Sequence, residues 1–141
     1  MAFTSGGLAE GTNANTFKTA ATITYAIDGR IFAKSATDNL PFSSAHTTLG
    51  NSQVCLFGVH LDTAGAVTTT QAKIVSSTEL ASGAAVLEWP SAQAGKVMVG
   101  AIRIETSASA TFTANSTDFS ASGITATLYN TSSSPTRPLT S

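Results

Sequence analysis

The side chains best suited to metal binding or nucleophilic chemistry are two histidines and one cysteine. His46 and His60 are 14 residues apart, and Cys55 lies between them without the spacing that metal ligands usually show. Cys55 precedes His60 by five residues, so the two side chains point to opposite faces if they share a strand. This excludes a cysteine–histidine nucleophile pair within that strand. We predict no metal site, and we interpret His60 as a hydrogen-bonded residue near a strand end.

Acid–base chemistry would need paired carboxylates, and the chain has eight acidic residues. Asp28 and Asp62 each lie in a turn sequence with glycine, so we assign them to turn formation and not to a carboxylate pair. Glu88 beside Trp89 could form a sugar site, whereas the alternative is a core tryptophan that closes a strand against Pro90. The sequence contains no Walker loop, GxGxxG or GxSxG motif. We therefore predict no enzyme activity, no catalytic residues and no cofactor.

The composition indicates one domain with an unusually uncharged surface. Of the 141 residues only 11% are charged, the net charge is −1, and there are 23 Thr and 18 Ser. Ordinary soluble domains have roughly 25% charged residues. The weak charge argues against nucleic-acid and membrane partners. A single cysteine allows no internal disulfide, and the first residues lack a signal-peptide pattern, so we expect synthesis in a cytoplasm.

The elements that must position these residues are β-strands, and residues 20–34 contain the clearest signal. Ile23, Tyr25 and Ile27 alternate with small or polar residues before Asp28-Gly29, and a second β-favouring run follows. Asp-Gly suits the two positive-φ positions of a type I′ turn. The pattern predicts an antiparallel hairpin.

Further alternating runs predict a single-domain antiparallel β-sandwich, jelly-roll-like and all-β. Residues 53–61 are apolar on both faces, so that strand must be covered on both sides. Residues 66–75 should return beside it, residues 96–105 form a third firm strand, and residues 123–130 form the last. In the strand 96–105, strict alternation puts Met98, Gly100, Ile102 and Ile104 on one face and Val97, Val99 and Ala101 on the other. Gly100 should mark a bulge or a close backbone contact. Weaker signals suggest an edge strand from residue 16, a helical turn within 76–85, a short strand over 84–89 and another at Phe112.

We divide the chain into an N-terminal arm (1–15), a β-sandwich domain (16–130) and a C-terminal tail (131–141). The arm is either flexible or ordered against a neighbouring subunit, and the tail is either unstructured or an extended peptide laid on a partner. Residues 35–52 read as a long loop and a candidate contact surface. The candidate protein-interaction residues are Phe3, Leu8, Phe17, Leu40, Phe42, Pro135, Arg137, Pro138 and Leu139.

Three segments carry a family resemblance. They are NANTFKTAATITYAIDGRIFAKSATDNLPF, VCLFGVHLDTAGAVTTTQAKIV, and the stretch from EWP through GKVMVGAIRIET to FTANSTDF. In this order they resemble small virion proteins of tailed phages, in particular the cement or decoration proteins of podoviruses. The resemblance covers most of residues 13–119 and brings no catalytic residues with it.

The resemblance implies a structural virion protein on the capsid exterior, made in the host bacterial cytoplasm. It would bridge major capsid protein subunits and stabilise the shell as a homo-oligomer, either a homodimer or a trimer. The alternative is a tail-fibre or tail-associated β module that binds a carbohydrate or receptor. That alternative needs exposed aromatic residues, for which Trp89, Tyr25 and Tyr129 are the candidates.

Overall fold

The computed structural model describes residues 1–44 and 46–131, and this part of the chain is mostly β with one short helix. The strands are β1 (Leu8–Glu10), β2 (Phe17–Thr19), β3 (Ile23–Ile27), β4 (Arg30–Lys34), β5 (Thr37–Leu40), β6 (Gln53–Leu61), β7 (Val67–Gln71), β8 (Val75–Ser76), β9 (Val97–Thr106) and β10 (Ile124–Asn130). The helix α1 is Ser77–Ser82. All strand pairs are antiparallel. The prediction of an antiparallel β protein is confirmed at this level.

The predicted hairpin is present as β3 and β4. Asp28 and Gly29 have φ values of 49° and 74°, as a type I′ turn requires. Ile23, Tyr25 and Ile27 are buried, and the Tyr25 hydroxyl donates a hydrogen bond of 2.7 Å to the carbonyl oxygen of Asp62. The hairpin is therefore attached to the body through its alternating apolar face.

The largest sheet has the order β10-β9-β6-β7, with β8 pairing with the start of β6. The turn between β6 and β7 is held by Asp62, whose Oδ1 accepts hydrogen bonds from the backbone N–H of Ala64 and Ala66 at 2.8 and 2.9 Å. Ile124, Ala126 and Leu128 of β10 pack against the core, as their alternation predicts. The strands predicted at 53–61, 96–105 and 123–130 are present, whereas the strand predicted at 66–75 is divided into β7 and β8.

A bulge in β9 corrects the predicted faces of that strand. Val59 pairs with Gly100 but His60 pairs with Met98, so Val99 is an extra residue opposite β6. The extra residue resets the alternation, and Val97 and Val99 therefore share the core with Ile102 and Ile104. Strict alternation had placed the two valines on the opposite face. The irregularity lies beside Gly100, where we predicted it.

The N-terminal segment is part of the body, which corrects the prediction of an arm at 1–15. Ala2 forms an isolated bridge with Tyr25, and β1 pairs with β2 in a sheet of order β1-β2-β5. Ala2 and Leu8 are buried. The strand β2 is thus the middle strand of its sheet and not an edge strand, and the segment 35–52 contains β5 as well as loop.

The core is centred on a cluster of aromatic rings from four separate regions. Phe42 contacts Phe17, Phe57, Phe112 and Phe119 edge-on, with ring centroids 5.1–6.2 Å apart. Such edge-to-face pairs are favourable beyond the area they bury. Phe42 and Phe112 therefore anchor the two long connectors, although Phe112 forms only a single bridge, to Leu49, in place of the expected short strand.

The segment 84–89 forms no strand, which corrects a further prediction. The preceding helix α1 ends at Ser82 and is capped by Gly83, whose φ of 76° is left-handed. The chain then crosses the face of the large sheet without pairing. Its apolar residues cover that face, and the segment does not pair with the sheet as an additional edge strand.

Candidate functional site

The outer face of β6 must be covered because its residues are apolar. Val54, Leu56 and His60 on this face are buried, although the core lies on the other side with Cys55 and Phe57. At Gly58 an added Cβ would lie 2.9 Å from Cβ of Pro90, so Pro90 packs directly on the glycine. The cover predicted for the second face is thus the segment 83–96, which we call the covering loop.

Trp89 is the most prominent residue of the covering loop. Its indole Nε1–H donates to Sδ of Met98 on β9 at 3.0 Å, which holds the ring above the sheet. The side chain nevertheless stays 53% exposed. It is not the core tryptophan that one of our two interpretations required.

A groove opens between the covering loop and β10. Its volume is about 360 Å³, within the roughly 300–1,000 Å³ typical of ligand pockets. It is lined by Leu56, Leu87, Trp89, Arg103, Tyr129, Asn130 and Thr131. The walls are therefore mainly apolar and aromatic, with a few polar groups.

Two polar residues of the groove are held in place. Arg103 forms an ion pair of 2.6 Å with Glu105 two residues along β9. Asn130 accepts a hydrogen bond of 2.9 Å through Oδ1 from the backbone N–H of Leu8. The partly exposed ion pair adds little stability, about 0–1 kcal/mol at most. Its effect is to fix the guanidinium orientation at the groove wall.

The histidines contact neighbouring threonines of β7 from opposite sides of that strand. The Nε2 atom of His60 lies 2.8 Å from Thr70 Oγ1, and burial together with the charge of Lys96 lowers the pKa of this imidazole. The Nε2 atom of His46 lies 2.7 Å from Thr69 Oγ1, and burial lowers its pKa as well. Each ring thus has one hydroxyl contact at Nε2, and Nδ1 of His60 is buried with no partner among the described residues.

Cys55 belongs to the core cluster, on the face of β6 opposite His60. Its thiol donates to the carbonyl oxygen of Ala72 at 3.1 Å, and burial raises the pKa of the thiol to about 11. A thiol with this pKa is a poor nucleophile at neutral pH. Within residues 1–44 and 46–131 no group of three or more His, Cys, Asp or Glu residues is placed to hold a metal ion.

The predicted interaction residues do not form one surface. Leu8, Phe17 and Phe42 are buried in the chain itself, while Phe3 and Leu40 are half-buried. The remaining four, Pro135, Arg137, Pro138 and Leu139, lie outside the described residues. Tyr25, one of the three aromatic candidates for a sugar site, is buried as well.

The groove itself was missed at the sequence level. Trp89 and Tyr129 were noted only as separate aromatic residues, and 40 positions separate them. The available signal was the apolar outer face of β6, because an apolar face must be covered by another segment. A groove can form where the covering segment ends. The position of that edge beside Tyr129 depends on the register of β9 and β10.

Comparison with known proteins adds no relative: no family model, no curated protein and no solved structure matches this chain. Among the described residues the longest helix, α1, has six residues, and none is long and apolar enough to cross a membrane.

Proposed function

We propose that this chain is a structural protein of a tailed-phage particle that binds the outside of the capsid shell as a decoration protein. The proposal starts from the resemblance of residues 13–119 to such proteins. Its partners would be the major capsid protein and a second copy of the chain. We also propose that the antiparallel sheets are arranged as a jelly-roll-like sandwich.

The observation that carries the proposal is a charge-poor surface with large apolar side chains left exposed. Ile31 on β4 is 71% exposed and Val86 on the covering loop is 76% exposed. Interface cores are depleted in charge and rich in apolar and aromatic residues. Leu8, Phe17 and Phe42 take no part in the proposed contact, because they are buried in the chain itself.

The work of such a protein is repeated weak binding. A small contact made by each subunit of a dimer gains effective concentration once the first subunit is bound, so the pair binds far more tightly than either alone. If the two subunits contact different capsid proteins, the dimer resists their separation. No bond is made or broken in this function.

The test is co-sedimentation with heads of the phage that carries this gene, prepared from a mutant that lacks it. We expect Ile31→Asp and Val86→Asp each to weaken binding by about tenfold, which corresponds to roughly 1.4 kcal/mol. Thr125→Asp, at an exposed polar position on β10, is the matched control and should bind normally. Absence of binding by the unaltered protein would overturn the proposal.

The groove favours a second candidate, a tail-associated module that binds a carbohydrate. An indole and a phenol with Arg103 and Asn130 nearby offer the stacking faces and polar groups that sugars require. A glycan array with Trp89→Ala, and with Val86→Ala as a control on the same loop, separates the two candidates. Saturable binding that depends on Trp89, without binding to heads, would replace the first proposal by the second.

A further inference from the structure

The groove lies where the described part of the chain ends. Thr131 lines the groove, and its backbone N–H and its Oγ1 donate to the carbonyl oxygens of Val99 and Met98, both at 3.3 Å. Met98 is also the residue that accepts the indole N–H of Trp89. The chain therefore leaves β10 directly beside Trp89.

Ten residues follow Thr131, with the sequence SSSPTRPLTS. Three serines precede the pattern Pro135-x-x-Pro138, which also includes Arg137. In a polyproline II helix, residues three apart lie on the same side because the helix has three residues per turn. Segments of this pattern dock in grooves lined by aromatic residues.

The groove offers the chemistry that this pattern requires. Trp89 and Tyr129 supply the aromatic walls, and Leu56 and Leu87 supply an apolar floor and side. Glu88, next to Trp89 but outside the groove lining, is exposed and has no ion-pair partner among the described residues, so its carboxylate is available for an arginine. The cation of the lining, Arg103, is already paired with Glu105. The volume of about 360 Å³ suits two proline rings better than a whole decapeptide.

We propose that the C-terminal segment 132–141 binds in this groove of its own molecule, with Pro135 and Pro138 against Trp89 and Tyr129. Pro135 is four positions after Thr131, a reach of about 13 Å, and Thr131 already lies at the groove. A short tether gives an effective concentration in the millimolar range, so even a weak contact is occupied within the same molecule. This inference does not depend on capsid binding.

The experiment uses Trp89 as its probe, since it is the only tryptophan in the chain. We compare acrylamide quenching and the emission maximum of the full chain with those of a chain that ends at Thr131. The indole is 53% exposed and a proline ring on one face would cover roughly half of that area. We therefore expect truncation to raise the quenching constant about twofold and to shift emission to longer wavelength.

One further measurement keeps the test informative if the shortened chain fails to fold, and a second one extends the test if it does fold. The full-length double variant Pro135→Ala/Pro138→Ala should reproduce the quenching of the truncated chain, while Thr136→Ala/Thr140→Ala should match the unaltered protein. A synthetic peptide of residues 132–141, added in excess to the truncated chain, should restore protection. Far-UV circular dichroism verifies that each variant is folded.

Identical quenching in the full chain and the double proline variant would overturn the proposal. Protection that disappears on dilution, together with a dimer in light scattering, would also overturn it and would show exchange of the segment between two copies. Protection that is independent of protein concentration supports binding within one molecule. No capsid is present in any of these measurements, so failure of the proposed function leaves the result intact.

Discussion

Gly100 shows how one residue can be required by close packing alone. A Cβ atom at this position would overlap the side chain of Leu8 and the carbonyl oxygen of Tyr129. The backbone oxygen belongs to β10 and cannot rotate away. Glycine is therefore needed for the approach of β1 and β10 to the bulged part of β9.

We predict that Gly100→Ala lowers the free energy of unfolding by about 1–3 kcal/mol, the usual cost of overpacking. Urea denaturation measures it. Gly50→Ala is the matched control, because its Cβ would have its closest contact, to Gln53 Oε1, at an ordinary 3.4 Å. Equal losses in the two variants would contradict the packing explanation.

The buried His60 and the half-buried His46 predict a pH dependence of stability. Burial lowers the pKa of both His46 and His60 below the ordinary value of 6.5, so the unfolded chain binds more protons than the folded chain in this range. Their contribution is therefore present above pH 6.5 and is lost as the pH falls from there towards the lower folded pKa values.

We expect the urea midpoint of the unaltered protein to be lower at about pH 5.5 than at about pH 7.5. The double variant His46→Gln/His60→Gln removes both titrating groups and should reduce this difference, with each single variant in between. A difference that is as large in the double variant as in the unaltered protein would assign the effect to other groups.

At the scale of elements, β1 belongs to the folded body. Its three residues pair with β2, and Leu8 is 7% exposed and reaches Gly100 on the large sheet. A segment of mostly small and polar residues is thus held by one buried leucine, by the Asn130 side chain and by backbone hydrogen bonds such as that from Phe3 N–H to the carbonyl oxygen of Thr24.

We predict that Leu8→Ala costs about 2–5 kcal/mol of stability, the range observed for buried leucines. Val86→Ala removes an apolar side chain that is 76% exposed and should change stability by less than about 0.5 kcal/mol. Chemical denaturation of both variants under one condition makes the comparison. A Leu8→Ala protein as stable as Val86→Ala would restore the idea of a free arm.

At the scale of the whole molecule, the central strand β6 links the two sides of the protein. Its inner face carries Cys55 and Phe57 into the core, and its outer face is closed by the covering loop. Exposure of Cys55 therefore requires the core itself to open.

We expect the thiol of Cys55 to react with a disulfide reagent such as DTNB much more slowly in the folded protein than in urea, at pH 8. The thiol is buried and its pKa is raised to about 11, so both access and thiolate fraction are small. Absorbance of the released thiolate follows the reaction. Labelling as fast as in the unfolded chain would show that the core opens frequently.

The sequence by itself determined the β3–β4 and β6–β7 hairpins and the positions of β9 and β10. The alternation of Ile23, Tyr25 and Ile27 and the turn at Asp28-Gly29 act over a few residues, so local preference and burial agree there. The same holds for β6, β7 and β10. The prediction that β6 needs cover on both faces also followed from its residues alone.

Only the tertiary structure decided which distant segments meet. Leu8 can pack where it does because residue 100, 92 positions away, is a glycine without a side chain. The core-facing residues of β9 are set by one extra residue, Val99. The groove joins Leu56, Trp89 and Tyr129, whose alternation patterns carry no information about one another. Local conformational preferences extend over a few residues, whereas a binding surface is made by packing between residues that are far apart in the chain.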